Sequence, residues 1–258
     1  MKKRSAKSGP RPATPRLGAV PRDGRRPRFS QELSVLYEDD QVVVLDKPAG
    51  LPSVPIPGSA TPSALSLLSV RLKTIGQRAF VVHRIDRFTS GVLLFAKSQK
   101  DREVLIGQFL AHSPVRQYLA VVRGRVAEKK GTLIHYFQRE GMWQQLRSQS
   151  DTHATRAELH YAVERLFAEA SLIRVELVTG LQNQIRAQFA AIGHPVIGDR
   201  KYHVTESAEP LIARVALHAA HLAFAHPRSG ATISVDGKLP SDFRHLVQEL
   251  SRATRARR

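Results

Sequence analysis

Three observations point to an α+β fold with a mixed, mainly antiparallel sheet. Strand-like segments outnumber helical ones, many follow one another directly, and strand and helix do not alternate regularly. No internal repeat is visible. At 258 residues the chain has the length of one to two domains. The pattern favours one domain over residues 31–251, which would bury roughly two thirds of its unfolded surface.

Ser34–Leu36 and Val42–Leu45 read as strands around the acidic turn Glu38-Asp39-Asp40. The Pro-rich loop 51–60 follows. Thr61-Pro62 then predicts a helix start, with Leu65, Leu68 and Leu72 on one face and a stop near Gly76. Phe80–Val82 is a short strand. Val92–Ala96, apolar throughout, predicts a central strand. Residues 101–111 read as a helix with Val104 and Phe109 inward, and Tyr118–Val122 as a strand. Between 125 and 150 only Leu133–Phe137 has strand character; the glutamines around Met142-Trp143 give no clean period. Thr155–Val163 and Leu172–Leu177 are further strands. A helix from Gln182 to Ile192 carries Ile185, Phe189 and Ile192 on one face and stops at Gly193-His194-Pro195. Leu217–Phe224 and Thr232–Val235 form an expected hairpin. Pro240 opens a last helix with Phe243, Leu246, Val247 and Leu250.

Composition excludes several classes. With no cysteine there is no disulfide framework, thiolate nucleophile or sulfur-based zinc site. No apolar run approaches the ~20 residues of a membrane span, and the basic N-terminus lacks the apolar stretch of a secretory signal. Phosphate-loop, dinucleotide-fingerprint and nucleophile-elbow motifs are missing. The net charge of +18 is concentrated at the ends. Residues 1–28 hold ten basic groups against Asp23, and Arg252, Arg255, Arg257 and Arg258 close the chain. Residues 1–30 are expected to be a disordered basic tail and 252–258 a second basic tail. Such tails attract polyanions, solubilise or, at the N-terminus, target a protein to an organelle.

Chemistry concentrates in two segments. His83-Arg84-Ile85-Asp86-Arg87-Phe88-Thr89-Ser90-Gly91 lies between two apolar strands, where charged groups must be solvated or paired. Arg84 and Arg87 favour the ionised form of Asp86, which then serves as nucleophile, base or structural anchor. The second segment is Thr179–Arg186. Gly180 there permits close backbone approach by a ligand, and Arg186, at the margin of a buried stripe, either pairs with Asp86 or snorkels to solvent. Tyr118 either stacks on a base or is a core tyrosine. His218, His221 and His226 do not make a metal set, because 218 and 221 point to opposite faces of a strand.

Five segments, in order, resemble the RluA-type pseudouridine synthases: DKPAGL at 46–51, HRIDRFTSGVLLFAKS at 83–98, RQYLAVVRG at 116–124, VTGLQNQIRAQFAAIGHPVIGDRKY at 178–202 and LHAAHLAFAHP at 217–227. The resemblance implies a sheet in two halves with flanking helices and a central RNA-binding cleft. It implies isomerisation of uridine in RNA, ribosomal RNA favoured over transfer RNA, with no cofactor and no metal. Asp86 would be the nucleophile, Tyr118 would stack on the target base, and Arg186 would pair with Asp86. Arg84 would displace the target nucleotide. Arg87, Arg116 and Gln184 would join it in contacting RNA. Some members carry an extra N-terminal RNA-binding domain, which residues 1–30 are too few to supply.

The chain departs from the family pattern at Leu181 and Asn183, where the third motif usually has basic residues. Altered substrate choice or reduced activity follows. A cytoplasmic monomer is the default expectation. The alternatives are a non-catalytic RNA-binding or ribosome-assembly factor of the same fold and a base-releasing glycosylase.

Overall fold

The computed structural model describes residues 33–141, 143–202 and 212–257. The expected tail at 1–30 therefore lies outside the described residues, as do Met142 and Arg258. The chain runs β1 (Ser34–Glu38), β2 (Val42–Lys47), α1 (Ala64–Lys73), β3 (Phe80–Val81), β4 (Ser90–Ala96), α2 (Gln99–Leu110), β5 (Val115–Arg123), β6 (Lys130–Glu140), β7 (Trp143–Arg147), β8 (Thr155–Leu166), β9 (Ala170–Leu177), α3 (Gln184–Ala191), β10 (Leu217–Ala225), β11 (Thr232–Asp236) and α4 (Ser241–Arg255). The result is the mixed, mostly antiparallel α+β architecture that the sequence predicts.

The strands form one sheet in the order β1-β2-β4-β10-β5-β9-β8-β6-β7, with β3 added to β4 and β11 to β10. Every pairing is antiparallel except β4 with β10. That parallel seam is short: it pairs Ser90 with His218 and Gly91 with Ala219. It joins a small N-terminal half (β1 to β4) to a larger one. Gly91 is required there, since its φ is +109° and a Cβ would collide with the Ala219 carbonyl.

Burial on both faces explains the unbroken apolar runs of β2 and β4. Val43, Leu45, Leu93 and Phe95 pack under Leu68 and Leu72 of α1. Val42, Val44, Leu94 and Ala96 face the other way, onto Leu105 of α2 and Val235 of β11. The larger half packs β5, β9, α3 and α4 around Val121, Ile173, Phe189 and Phe243.

Several boundaries shift, each for a local reason. Ser63, and not Thr61, caps α1: its hydroxyl accepts from the Ser66 N–H while the Ser66 hydroxyl accepts from the Ser63 N–H. On α2 the inward residue is Leu105; Val104 is 44% exposed. α3 starts at Gln184, because Asn183 adopts a left-handed conformation at φ 57°. Most of the stretch 125–150 is a hairpin of β6 and β7 at the end of the sheet: Leu133–Phe137 lies in β6, with Phe137 buried, while β7 is mostly exposed, so burial imposes no period around Trp143. The last helix runs past residue 251 to Arg255, where the Thr254 hydroxyl accepts from the Ala168 N–H. No helix among the described residues is long and apolar enough to cross a membrane.

Candidate active site

Asp86 sits on the loop entering β4, next to the seam between the halves. A second loop, 47–53, holds it in place. Ser53 Oγ donates to the Ile85 carbonyl at 2.7 Å and accepts from the Ile85 N–H at 3.2 Å. The Gly50 N–H donates to the Arg87 carbonyl at 2.8 Å, and Arg87 Nε returns a bond to the Gly50 carbonyl at 2.9 Å. Buried Ile85 pins the turn into the core, so its neighbours Arg84 and Asp86 reach toward solvent.

Lys47 is the hidden support of this loop. Its ammonium is buried and donates to the carbonyls of Pro48, Leu51 and Arg87 at 3.0, 2.7 and 3.1 Å. Burial pushes its pKa down to about 7. The charge of Asp86 works the other way, and three carbonyls match the three donors of an ammonium. Sequence reasoning assigned Lys47 no role.

The side chain of Arg186, on α3, is 13% exposed and crosses to Asp86, which is 25% exposed; Arg186 Nη1 donates to Asp86 Oδ2 at 3.2 Å. Of the two sequence-level readings of Arg186, pairing with Asp86 is the one found. Its strongest partner was missed. Arg186 Nε and Nη2 donate to Asp199 at 2.6 and 2.8 Å, and Nη1 also donates to Asn183 Oδ1 at 2.7 Å. Asp199 itself is buried, placed by a turn at Gly198 (φ +76°), and accepts from the N–H groups of Lys201 and Tyr202. Burial opposes the Arg186 charge, but Asp199 and Asp86 hold its pKa above the ordinary arginine range. The one available signal was an acid directly after Gly198 in an apolar run.

Tyr118, on β5, is buried beside this pair. Burial lifts its phenol to about 12, with Asp86 adding to the rise and Arg116 opposing it. The phenol is thus neutral at physiological pH, and no hydrogen bond reaches its hydroxyl among the described residues.

Two residues expected to contact RNA face inward instead. Arg116 is buried; its Nη2 donates to the carbonyls of Leu177 and Val178 at 3.2 and 2.7 Å, and its guanidinium lies over Phe109. It occupies the close-approach face of Gly180, standing 2.8 Å from where a Cβ would be, so no ligand reaches that face. Gln184 is buried too, accepting from the Leu181 N–H and the Thr179 hydroxyl and donating to Glu158 and Gln188. Both are braces, because at these positions the sheet edge and the α3 start leave backbone groups to satisfy. Arg84 and Arg87 remain exposed. Arg84 makes no hydrogen bond or ion pair among the described residues, whereas Arg87 is tied to Gly50.

The three strand histidines go to separate partners: His218 to Ser90, His221 to Asp236 and His226 to Asp39. A partly exposed carboxylate with one oxygen fixed by an arginine, its other oxygen open and a neutral phenol nearby, is a nucleophile's setting.

Comparison with known proteins bears on the same segment. Residues 41–191 match the family described as RNA pseudouridylate synthase. The chain is 32% identical over 243 residues to ribosomal large subunit pseudouridine synthase D of Zymomonas mobilis, covering 90% of this chain and 77% of that protein. It is 34% identical over 232 residues to the protein of the same name from Pseudomonas aeruginosa, covering 85% and 72%. The fold resembles that of human RNA pseudouridylate synthase domain containing 4, with a TM-score of 0.71 at 19% identity over 84% of this chain and 92% of that one. The chain therefore belongs to the RNA pseudouridylate synthase family, of RluA type, and is an isomerase that converts uridine in RNA to pseudouridine.

Proposed function

We propose that Asp86 is the nucleophile of this isomerisation and that the substrate is large-subunit ribosomal RNA. The observation that carries the first part is the Arg186–Asp86 contact at 3.2 Å beside the buried Tyr118 ring. The second part rests on likeness to relatives named as ribosomal large subunit synthases.

The target uridine must leave its stack, at a cost of a few kcal/mol. Arg84, exposed and without a hydrogen bond or ion pair among the described residues, supports the reading that it fills the vacated space, with Arg87 beside it. Tyr118 offers its ring to the flipped base. The Asp86 carboxylate attacks either C1′ of the sugar or C6 of the ring. The N1–C1′ bond breaks and the uracil turns within the pocket. C5 then bonds to C1′, the bond to Asp86 breaks and frees the carboxylate, the C5 proton leaves and N1 takes up a proton. Arg186 holds the carboxylate oriented throughout. The protein acts in the cytoplasm as a monomer, with its basic N-terminal segment drawn to long RNA.

The test is tritium release from RNA labelled at C5 of uridine, using ribosomal and transfer RNA fractions from cells lacking the gene. Wild-type protein is expected to release tritium from the ribosomal fraction and Asp86→Ala to release none. Release by Asp86→Ala would remove the nucleophile assignment. Release from transfer RNA alone would move the substrate.

A further inference from the structure

The β6–β7 hairpin borders the site without any part in the chemistry above. It carries Trp143, the chain's one tryptophan, which is 48% exposed. Trp143 meets Tyr202 edge to face, with centroids 5.8 Å apart at 77°. Lys201 Nζ stands 4.8 Å from the Trp143 centroid and 5.3 Å from that of Tyr202. The Tyr202 ring in turn lies 5.5 Å from the Arg186 guanidinium, the group that touches Asp86. An unbroken chain of contacts thus links the exposed indole to the reacting carboxylate.

Cations outnumber acids around the indole, although Glu140 stands directly across the hairpin from it. Arg139 and Arg200 are exposed, and Lys201 is partly exposed. The hairpin acid Glu140 is neutralised by Arg147, which also lies 3.8 Å from Asp151. An aromatic face framed by cations is what single-stranded nucleic acid uses: a base stacks on the ring and its phosphates meet the cations. A protein partner would require a wider apolar surface than one indole.

We infer that Trp143 is a stacking platform for an unpaired nucleotide of the substrate RNA flanking the target uridine, with Lys201 and Arg139 receiving its phosphates. This rests on the RNA reading above and adds a second nucleotide subsite to it. In the free protein Lys201 lies over the indole; the incoming base takes that face and the ammonium turns to the backbone.

A single tryptophan makes the test direct. The Asp86→Asn variant, which binds without turnover, is titrated with unmodified large-subunit ribosomal RNA transcript and with a short oligouridylate while tryptophan emission is followed. Quenching that saturates with binding is expected. Trp143→Ala and Trp143→Phe have no tryptophan to report, so their affinity is read by filter binding of labelled RNA in the same background: Trp143→Ala should weaken binding about 5- to 150-fold, and Trp143→Phe, which keeps a π face, should recover most of it. Lys201→Gln should lower the salt dependence of binding. Emission unchanged at saturating RNA, wild-type affinity in Trp143→Ala, or Trp143→Phe as weak as Trp143→Ala would each overturn the inference. Tritium release by the wild-type protein is scored separately, so this inference can fail while the catalytic reading stands.

Discussion

Arg186 is anchored by Asp199, through two hydrogen bonds of 2.6 and 2.8 Å, whereas its bond to Asp86 is single and longer, at 3.2 Å. Asp199 therefore sets the guanidinium from behind and leaves its Nη1 edge for Asp86. Asp199→Ala strands a mostly buried arginine and should cost about 3–5 kcal/mol of stability. Asp199→Asn keeps the shape and weakens the anchor. Its kcat should fall about 100-fold while KM changes little, read from single-turnover and steady-state tritium release together with thermal unfolding.

Asn183 stands where the resemblance to the family leads one to expect a basic residue, yet it serves Arg186 directly by accepting from its Nη1 at 2.7 Å. Its backbone is left-handed, which asparagine and glycine tolerate best. Asn183→Gly should fold with unchanged stability and lose turnover several-fold, by loss of the acceptor alone. Asn183→Ala should lose roughly 1–2 kcal/mol in addition. Equal turnover in wild type and Asn183→Gly would show that the contact is idle.

Tyr118 has a phenol lifted to about 12 by burial, so ionisation does not limit activity below pH 10. Tyr118→Phe keeps the ring that meets the base and removes the hydroxyl. KM for RNA should be preserved. If the hydroxyl handles the C5 proton, turnover should fall about 10²- to 10⁴-fold, measured with C5-tritiated substrate. Unchanged turnover would restrict Tyr118 to stacking.

Two buried histidines make folding acid-sensitive. His83 Nε2 accepts from the Leu94 N–H, where the edge of β4 lacks a strand partner between its pairings with β10 and β3. Burial, with Arg116 adding to it, depresses its pKa to about 3; burial first, and Arg214, bring His218 to about 4. Both lie below the free value of 6.5, so the unfolded chain takes up protons that the folded chain refuses. Their stabilisation is complete above pH 6.5 and is lost as pH falls through about 4 and about 3. Urea midpoints measured from pH 7 to pH 4 should decline, and His83→Gln, which retains an acceptor for Leu94, should decline less.

Much of this protein was legible in the residues themselves. Val42–Leu45 read as a strand and Val92–Ala96 as a central strand; both prove covered on both faces, and that burial fixes the loop bearing Asp86 beside them. Local patterns of that kind are set by neighbours in the chain. Side-chain direction at a strand edge or helix start is set by distant ones. Arg116 and Gln184 carry polar groups suited to RNA, yet β9, Glu158 and Gln188 left carbonyls and amides that these side chains satisfy from within. Asp199, thirteen residues from Arg186 in sequence, becomes its main partner only when the chain folds back after α3. In the β6–β7 hairpin only Leu133–Phe137 was legible; the role of Trp143 emerged only when Tyr202 was brought against it. Sequence determined the covered strands, the loop that carries Asp86 and the family; non-local packing decided which charged groups stay exposed and which brace the walls.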